Sequence, residues 1–272
     1  MEARNDLQET PLHFASSWGN IKIVRLLLER KLKLLEEKDI DGNTPLFIAI
    51  LHGHEEVVKQ LIISGAKLEA RNKWRETPLH YASFFGNTRI VQLLLKRKPN
   101  LLDAKNKNGN TPLTTAIQER HEEVAEQLII SGANLEAKNK WQESPLHLAT
   151  SWGNIKIVEQ LIISGADLEV RNNRQQTPLH VASPWGNIKI VQLLFERKPN
   201  LIEAQDRYGN TPLSIAKRFG YCDILKLFQN ASTNLNTVRE HPLMMSDFRG
   251  DGGSEMTSKN RTVGWDGGST IV

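Results

Sequence analysis

The sequence predicts an all-α solenoid, seven small helix pairs stacked into one elongated array, on three observations. The string Thr77-Pro78-Leu79-His80-Tyr81-Ala82 recurs in variant form from Thr10, Thr44, Thr111, Ser144, Thr177 and Thr211, with starts 34, 33, 34, 33, 33 and 34 residues apart. A fixed period in this range belongs to stacked-repeat architectures, in which a unit buries its apolar face only against its neighbours. Each copy also opens like a helix. Thr or Ser caps the first turn, and Pro suits the first helical position, where its missing N–H would be unpaired anyway.

Composition bounds the rest. Among 272 residues there is one cysteine, Cys222, which excludes an internal disulfide framework and suits a reducing compartment. Met1 to Glu9 is polar and lacks the apolar centre of a signal peptide. No apolar run approaches the roughly 18 to 20 residues that span a bilayer. The expectation is a soluble intracellular protein, cytoplasmic, with a nuclear location left open. The net charge of +4 is mild, and residues 231–272 hold four basic and five acidic side chains. The basic clusters Arg30-Lys31, Lys96-Arg97-Lys98 and Arg197-Lys198 fall near predicted helix ends. Cations there complement the helix dipole, whereas a nucleic-acid binder concentrates them along one face or tract. Nucleic acid is therefore not the expected partner.

Taken in order, the chain opens inside a unit: Glu2-Ala3-Arg4-Asn5 repeats Glu69-Ala70-Arg71-Asn72. A first unit without a shield should expose apolar surface, which leaves either a partner or a longer product to cover it. From Thr10 each unit predicts a short helix running from the motif to a Gly, as in Pro11 to Trp18 before Gly19. A second helix with apolar residues at helical spacing follows, as in Ile21 to Leu28, and then a loop with turn residues such as Asp39-Ile40-Asp41-Gly42-Asn43. Helices this short do not persist in water, so stacking is obligatory. Units from Thr10, Thr77 and Thr177 share a longer loop (Arg97-Lys98-Pro99-Asn100-Leu101), those from Thr44 and Thr111 share QLIISGA, and the unit from Ser144 joins the front of one type to the back of the other. Duplication of a 67-residue pair with one unequal crossover accounts for this pattern. The last unit carries Lys217, Arg218, Asp223, Lys226 and Gln229, a polar character suited to a terminal cap. The array is expected over residues 1–230, with a partial unit end at 1–4. A Gly-, Ser- and Asn-rich tail at 231–272 is too polar to order itself.

At these residues the chain resembles the ankyrin-repeat family: Thr-Pro-Leu-His at this period, Gly53-His54 before a second helix, and Gly165-Ala166-Asp167-Leu168 after one. The resemblance covers about residues 3–230. It implies antiparallel helix pairs, short β-hairpin loops projecting sideways, and a concave face that grips partner proteins. His13, His80, His147 and His180 at the fourth motif position are then structural, bonding the motif Thr or Ser and adjacent backbone; a metal ladder is disfavoured, because no Cys or acidic residue accompanies them in register. His54 and His121 stand where the family places a histidine that opens the second helix.

No phosphate cradle, zinc motif or nucleophile motif occurs, so neither catalysis nor a cofactor, metal or small-molecule substrate is expected. The informative residues are aromatic. Trp18, Trp152 and Trp185 precede the inter-helix Gly, where other units have Phe85 and Phe219; Phe84 lies beside them. Trp74, Trp141 and Tyr208 lie three residues before the motif. In the resembled family both positions look outward toward partners, and Trp and Tyr dominate interface energetics. The competing reading makes the helix-end tryptophans packing residues. Gly42, Gly109 and Gly209 fit a left-handed turn, whereas Gln8, Arg75, Gln142 and Gln175 at the same place would each be strained by roughly 1 to 2 kcal/mol, so another turn is expected there. Arg120 replaces the inter-helix Gly. Of two tail motifs, Arg249-Gly250-Asp251 is ascribed to chance, and Thr270-Ile271-Val272 has the form that PDZ domains take as an added strand. The function expected is a protein-binding scaffold or adaptor. The alternatives are a regulatory portion of a larger enzyme or channel, or a nucleic-acid binder.

Overall fold

The computed structural model describes residues 4–229. The tail, the Arg249-Gly250-Asp251 string and the Thr270-Ile271-Val272 terminus lie outside the described residues. Seven helix pairs follow one another: α1 (Pro11–Ser17) and α2 (Ile21–Arg30); α3 (Pro45–Leu51) and α4 (Glu55–Ile63); α5 (Pro78–Phe84) and α6 (Thr88–Arg97); α7 (Pro112–Gln118) and α8 (Glu122–Ile130). Then come α9 (Pro145–Ser151) and α10 (Ile155–Ile163), α11 (Pro178–Ala182) and α12 (Ile188–Arg197), and α13 (Pro212–Phe219) with α14 at 222–229. First helices pack on first helices and second on second, as α1 on α3 and α2 on α4. The longer loops close as single 3-10 turns at Leu32–Glu36, Pro99–Leu101 and Pro199–Glu203.

The motif builds the shared core. Its Leu (Leu12, Leu46, Leu79, Leu113, Leu146, Leu179) is fully buried, and its Ala (Ala49, Ala82, Ala116, Ala149, Ala182) lets the first helices approach closely. Pro184 shortens α11: it offers no N–H to the fourth residue back, so the helix ends at Ala182 and tightens into a 3-10 turn, Ser183–Trp185.

The loops between units reverse direction, but no described residue in them is assigned to a strand. Each is instead an Asx turn. The Asn72 carboxamide oxygen accepts from the N–H groups of Trp74 and Glu76 at 3.0 Å each, and Asp39, Asn106, Asn139, Asn172 and Asp206 repeat the arrangement. This corrects the expectation of a different turn at the non-glycine positions. Gln8, Arg75, Gln142 and Gln175 have φ of 62°, 61°, 60° and 59°, the same left-handed region as Gly42 and Gly109. The side-chain bonds of the Asx residue hold the turn and offset the strain.

Candidate interaction surface

The Asx turns aim one side chain per unit outward at the loop tip, and the first helix aims another from its C-terminal end. A seven-residue helix separates these two rows by about 10 Å, at 1.5 Å per residue. Every aromatic expected in them is solvent-exposed: Trp18 81%, Trp74 46%, Phe84 43%, Phe85 36%, Trp141 45%, Trp152 46%, Trp185 64% and Tyr208 71%.

The structure sorts them into distinct settings. Trp141, Trp185 and Tyr208, with Phe219 and the cations Arg174 and Arg218, line one groove of about 680 Å³ across the last three units. Both rows meet there. Trp18 stands apart at the other end, beside Phe14 and Ile23 in a hollow of about 510 Å³. Phe84 and Phe85 stack edge to face at 4.9 Å, and Phe85 touches Tyr81, which in turn packs on buried Phe47. That pair therefore also serves the core. Trp152 lies under the Arg120 guanidinium at 5.4 Å, and Trp141 under the Lys140 ammonium at 4.6 Å. Trp74 belongs to neither cavity.

Asp206 and His180 beside the groove are already committed. Burial would raise the Asp206 carboxyl, but hydrogen bonds from the Asn210 backbone and side chain and from the Tyr208 N–H outweigh it and hold its pKa below the ordinary value. Desolvation pushes His180 below its usual pKa, and its two ring nitrogens are engaged by Thr177 and by the Asn210 carbonyl. The other motif histidines are bonded in the same way, so the expected structural role is what the geometry shows. His54 and His121 likewise bond Ser17 O and Phe84 O of the preceding unit at 2.9 and 2.8 Å. Among the described residues no group of three or more His, Cys, Asp or Glu is placed to hold a metal, and no helix is long and apolar enough to cross a membrane.

Sequence reasoning missed Arg174 and Phe219 as members of the groove. Arg174 occupies the tip position held by Trp74 and Trp141, so an aromatic search passes over it. Phe219, 56% exposed, sits in the Trp row and was legible there.

Comparison with known proteins fits this geometry. A family model described as ankyrin repeats (3 copies) matches residues 1–72, 58–139, 127–205 and 146–239. The solved ankyrin repeat domain of Bcl-3, described as a member of the IkappaB protein family, superposes with a TM-score of 0.73 at 27% identity, covering 80% of this chain and 98% of that one. A probable 26S proteasome regulatory subunit p28 of Saccharomyces cerevisiae is 34% identical over 121 residues, 44% of this chain and 53% of its own. The human transient receptor potential cation channel subfamily A member 1 is 41% identical over 91 residues, 32% of this chain and 8% of the channel. This chain thus spans about half of the yeast relative and a small part of the channel.

Proposed function

The chain belongs to the ankyrin-repeat family, and from that premise we propose that it is a non-catalytic recognition scaffold holding an extended segment of a partner protein. Ankyrin repeats are protein–protein interaction modules, and the reading for this chain rests on one observation. Trp141, Trp185, Tyr208 and Phe219, contributed by three successive units, open into a single groove while each remains 45% or more exposed. Large aromatics left in water at this density need a reason, and truncation of such anchors typically costs 2 kcal/mol or more of binding. The stacked helices pre-organise the surface, so little ordering cost falls on binding.

The test is a double substitution, Trp141→Ala with Tyr208→Ala, in a pull-down from the source cell. Capture of the partner is expected to fall at least tenfold with the thermal midpoint unchanged. Retained capture sinks the reading, and a matching loss of stability assigns the two rings to packing. A second reading makes the array a regulatory part of a larger enzyme or channel; the similarity to a cation channel, 41% identical over 91 residues, favours it. An immunoblot of the endogenous polypeptide tests this by size.

A further inference from the structure

The charge of the loop tips specifies the partner segment further, on the premise of the binding reading above. Four and three residues before each motif, the first two tips carry Asp6-Leu7 and Ile40-Asp41. The next five carry Lys73-Trp74, Lys107-Asn108, Lys140-Trp141, Asn173-Arg174 and Arg207-Tyr208, and Arg75 adds a sixth cation. All six cations are exposed, and none forms an ion pair within the described residues. Lys140 alone is engaged, by the Asn108 side chain at 2.7 Å. The acids of these loops are turned inward: Glu76 and Glu143 accept from Asn72 and Asn139 at 2.9 and 3.0 Å, and buried Asp206 accepts from Asn210. The row therefore changes sign along the array, acidic at its start and basic over its last five tips.

Successive tips are tied by single backbone bonds, Lys107 N–H to Trp74 O at 2.8 Å, Lys140 to Asn108 at 2.9 Å, Asn173 to Trp141 at 3.1 Å and Arg207 to Arg174 at 2.8 Å. Each loop contributes two arms, and hydrogen-bonded arms lie about 4.8 Å apart, so tips repeat about every 10 Å. An extended peptide advances about 3.3 Å per residue, or about three residues per tip. We infer that the partner segment is an extended acidic stretch with Asp or Glu at about every third residue and apolar side chains between, laid over the tips from Lys73 to Tyr208. The cations meet its carboxylates, and Trp74, Trp141 and Tyr208 cover its apolar side chains. A nucleic-acid duplex fits less well: each of its strands places a phosphate about every 3.4 Å of helix axis, about three for each cation.

The test uses the full chain and a fluorescein-labelled 15-residue peptide, Asp-Pro-Val repeated five times, with Lys-Pro-Val repeats and a labelled single-stranded oligonucleotide as comparators. Exposed pairs each contribute a small factor, so reversing Lys107, Arg174 and Arg207 to Glu should weaken acidic-peptide binding about tenfold and flatten its salt dependence. Thermal stability should not change. The lysine peptide should bind at least tenfold more weakly than the acidic one. Equal binding of the two peptides, no effect of the reversals, or tighter binding of the oligonucleotide than of the acidic peptide overturns the inference. Capture of the natural partner separates the two claims. If it survives the charge reversals and still depends on Trp141 and Tyr208, the recognition reading stands and the acidic-segment inference falls.

Discussion

The Nε2 of His80 donates to the carbonyl oxygen of Asn110 across 3.0 Å, joining the first turn of one unit to the loop that leads into the next. The direction of that bond follows from the other side of the ring. The Thr77 backbone N–H points at Nδ1 from 3.2 Å, and an N–H can only donate, so Nδ1 accepts and the proton sits on Nε2. His13, His147 and His180 repeat the arrangement toward Asn43, Gln176 and Asn210. One side chain thus completes a helix cap and fastens two units, and it does so only while neutral.

A pH dependence follows. Burial pushes His80 and His147 down to about 4, against 6.5 for an unperturbed ring. The unfolded chain therefore takes up protons near pH 6.5 that the native chain refuses until about pH 4. Stability is complete above the higher value and is lost as pH falls toward the lower one, by on the order of 3 kcal/mol per ring at 1.36 kcal/mol per pKa unit. Urea midpoints should drop between pH 7 and pH 5, above the range in which exposed carboxylates titrate. Replacing both rings by Gln should reduce that drop, leaving the part carried by His13 and His180, which burial also lowers. A midpoint unchanged down to pH 4.5 contradicts the mechanism.

The inter-helix glycines are not equivalent. A β-carbon on Gly86 would lie 2.6 Å from the Nδ1 of His121, whereas one on Gly153 would meet only the Asn187 amide at 3.4 Å. Both residues have left-handed φ, 68° and 69°, so backbone strain is common to the two. Gly86→Ala should therefore cost about 1 to 3 kcal/mol more than Gly153→Ala, the difference being the overlap with the imidazole. Paired denaturation curves measure it, and equal losses would remove the distinction.

That contrast shows what the sequence could and could not reveal. The period, the motif Leu and the capping residues were readable because each follows from local chemistry repeated seven times. Arg120 was visible as a departure from Gly at φ 60°. Its compensation was not, because the next unit supplies Asn154 where a ring such as His121 or Tyr221 crowds the corresponding glycine elsewhere. The left-handed Arg75 and Gln142 were misread for the same kind of reason. The Asx bonds that hold those turns come from Asn72 and Asn139, three residues earlier in each case. The groove escaped notice because its rings are brought together by stacking, not by spacing within a unit.

Among the described residues nothing covers the leading face of the first unit. Ile23 is 45% exposed, while its equivalents Val57, Ile90, Val124, Ile157, Ile190 and Ile224 are at most 1% exposed. Ile157→Asn should cost about 3 to 5 kcal/mol, combining lost burial with an unsatisfied amide, and Ile23→Asn less than about 1 kcal/mol. Similar losses at both sites, read from urea midpoints, would mean that the leading face is covered in solution.

The unit from Thr111 should be the least protected in the interior of the array. Thr114 replaces the motif histidine and bonds only within its own turn, to Thr111 O at 3.0 Å, so the bridge to the next loop is missing. The Asn110 carboxamide oxygen ahead of it is buried without a partner, but so are the Ser83 and Thr150 hydroxyls of the flanking units, so the difference rests on the missing bridge and on Arg120. Arg120 adds left-handed strain that its place over Trp152 offsets only in part. The unit from Thr44 also lacks the histidine, but Phe47 fills that place, fully buried and edge-on to Tyr81 at 4.9 Å. Native-state hydrogen exchange should therefore show faster exchange over residues 112–130 than over 78–97 and 145–163. Slower exchange there than in either flanking unit would place the weak junction elsewhere.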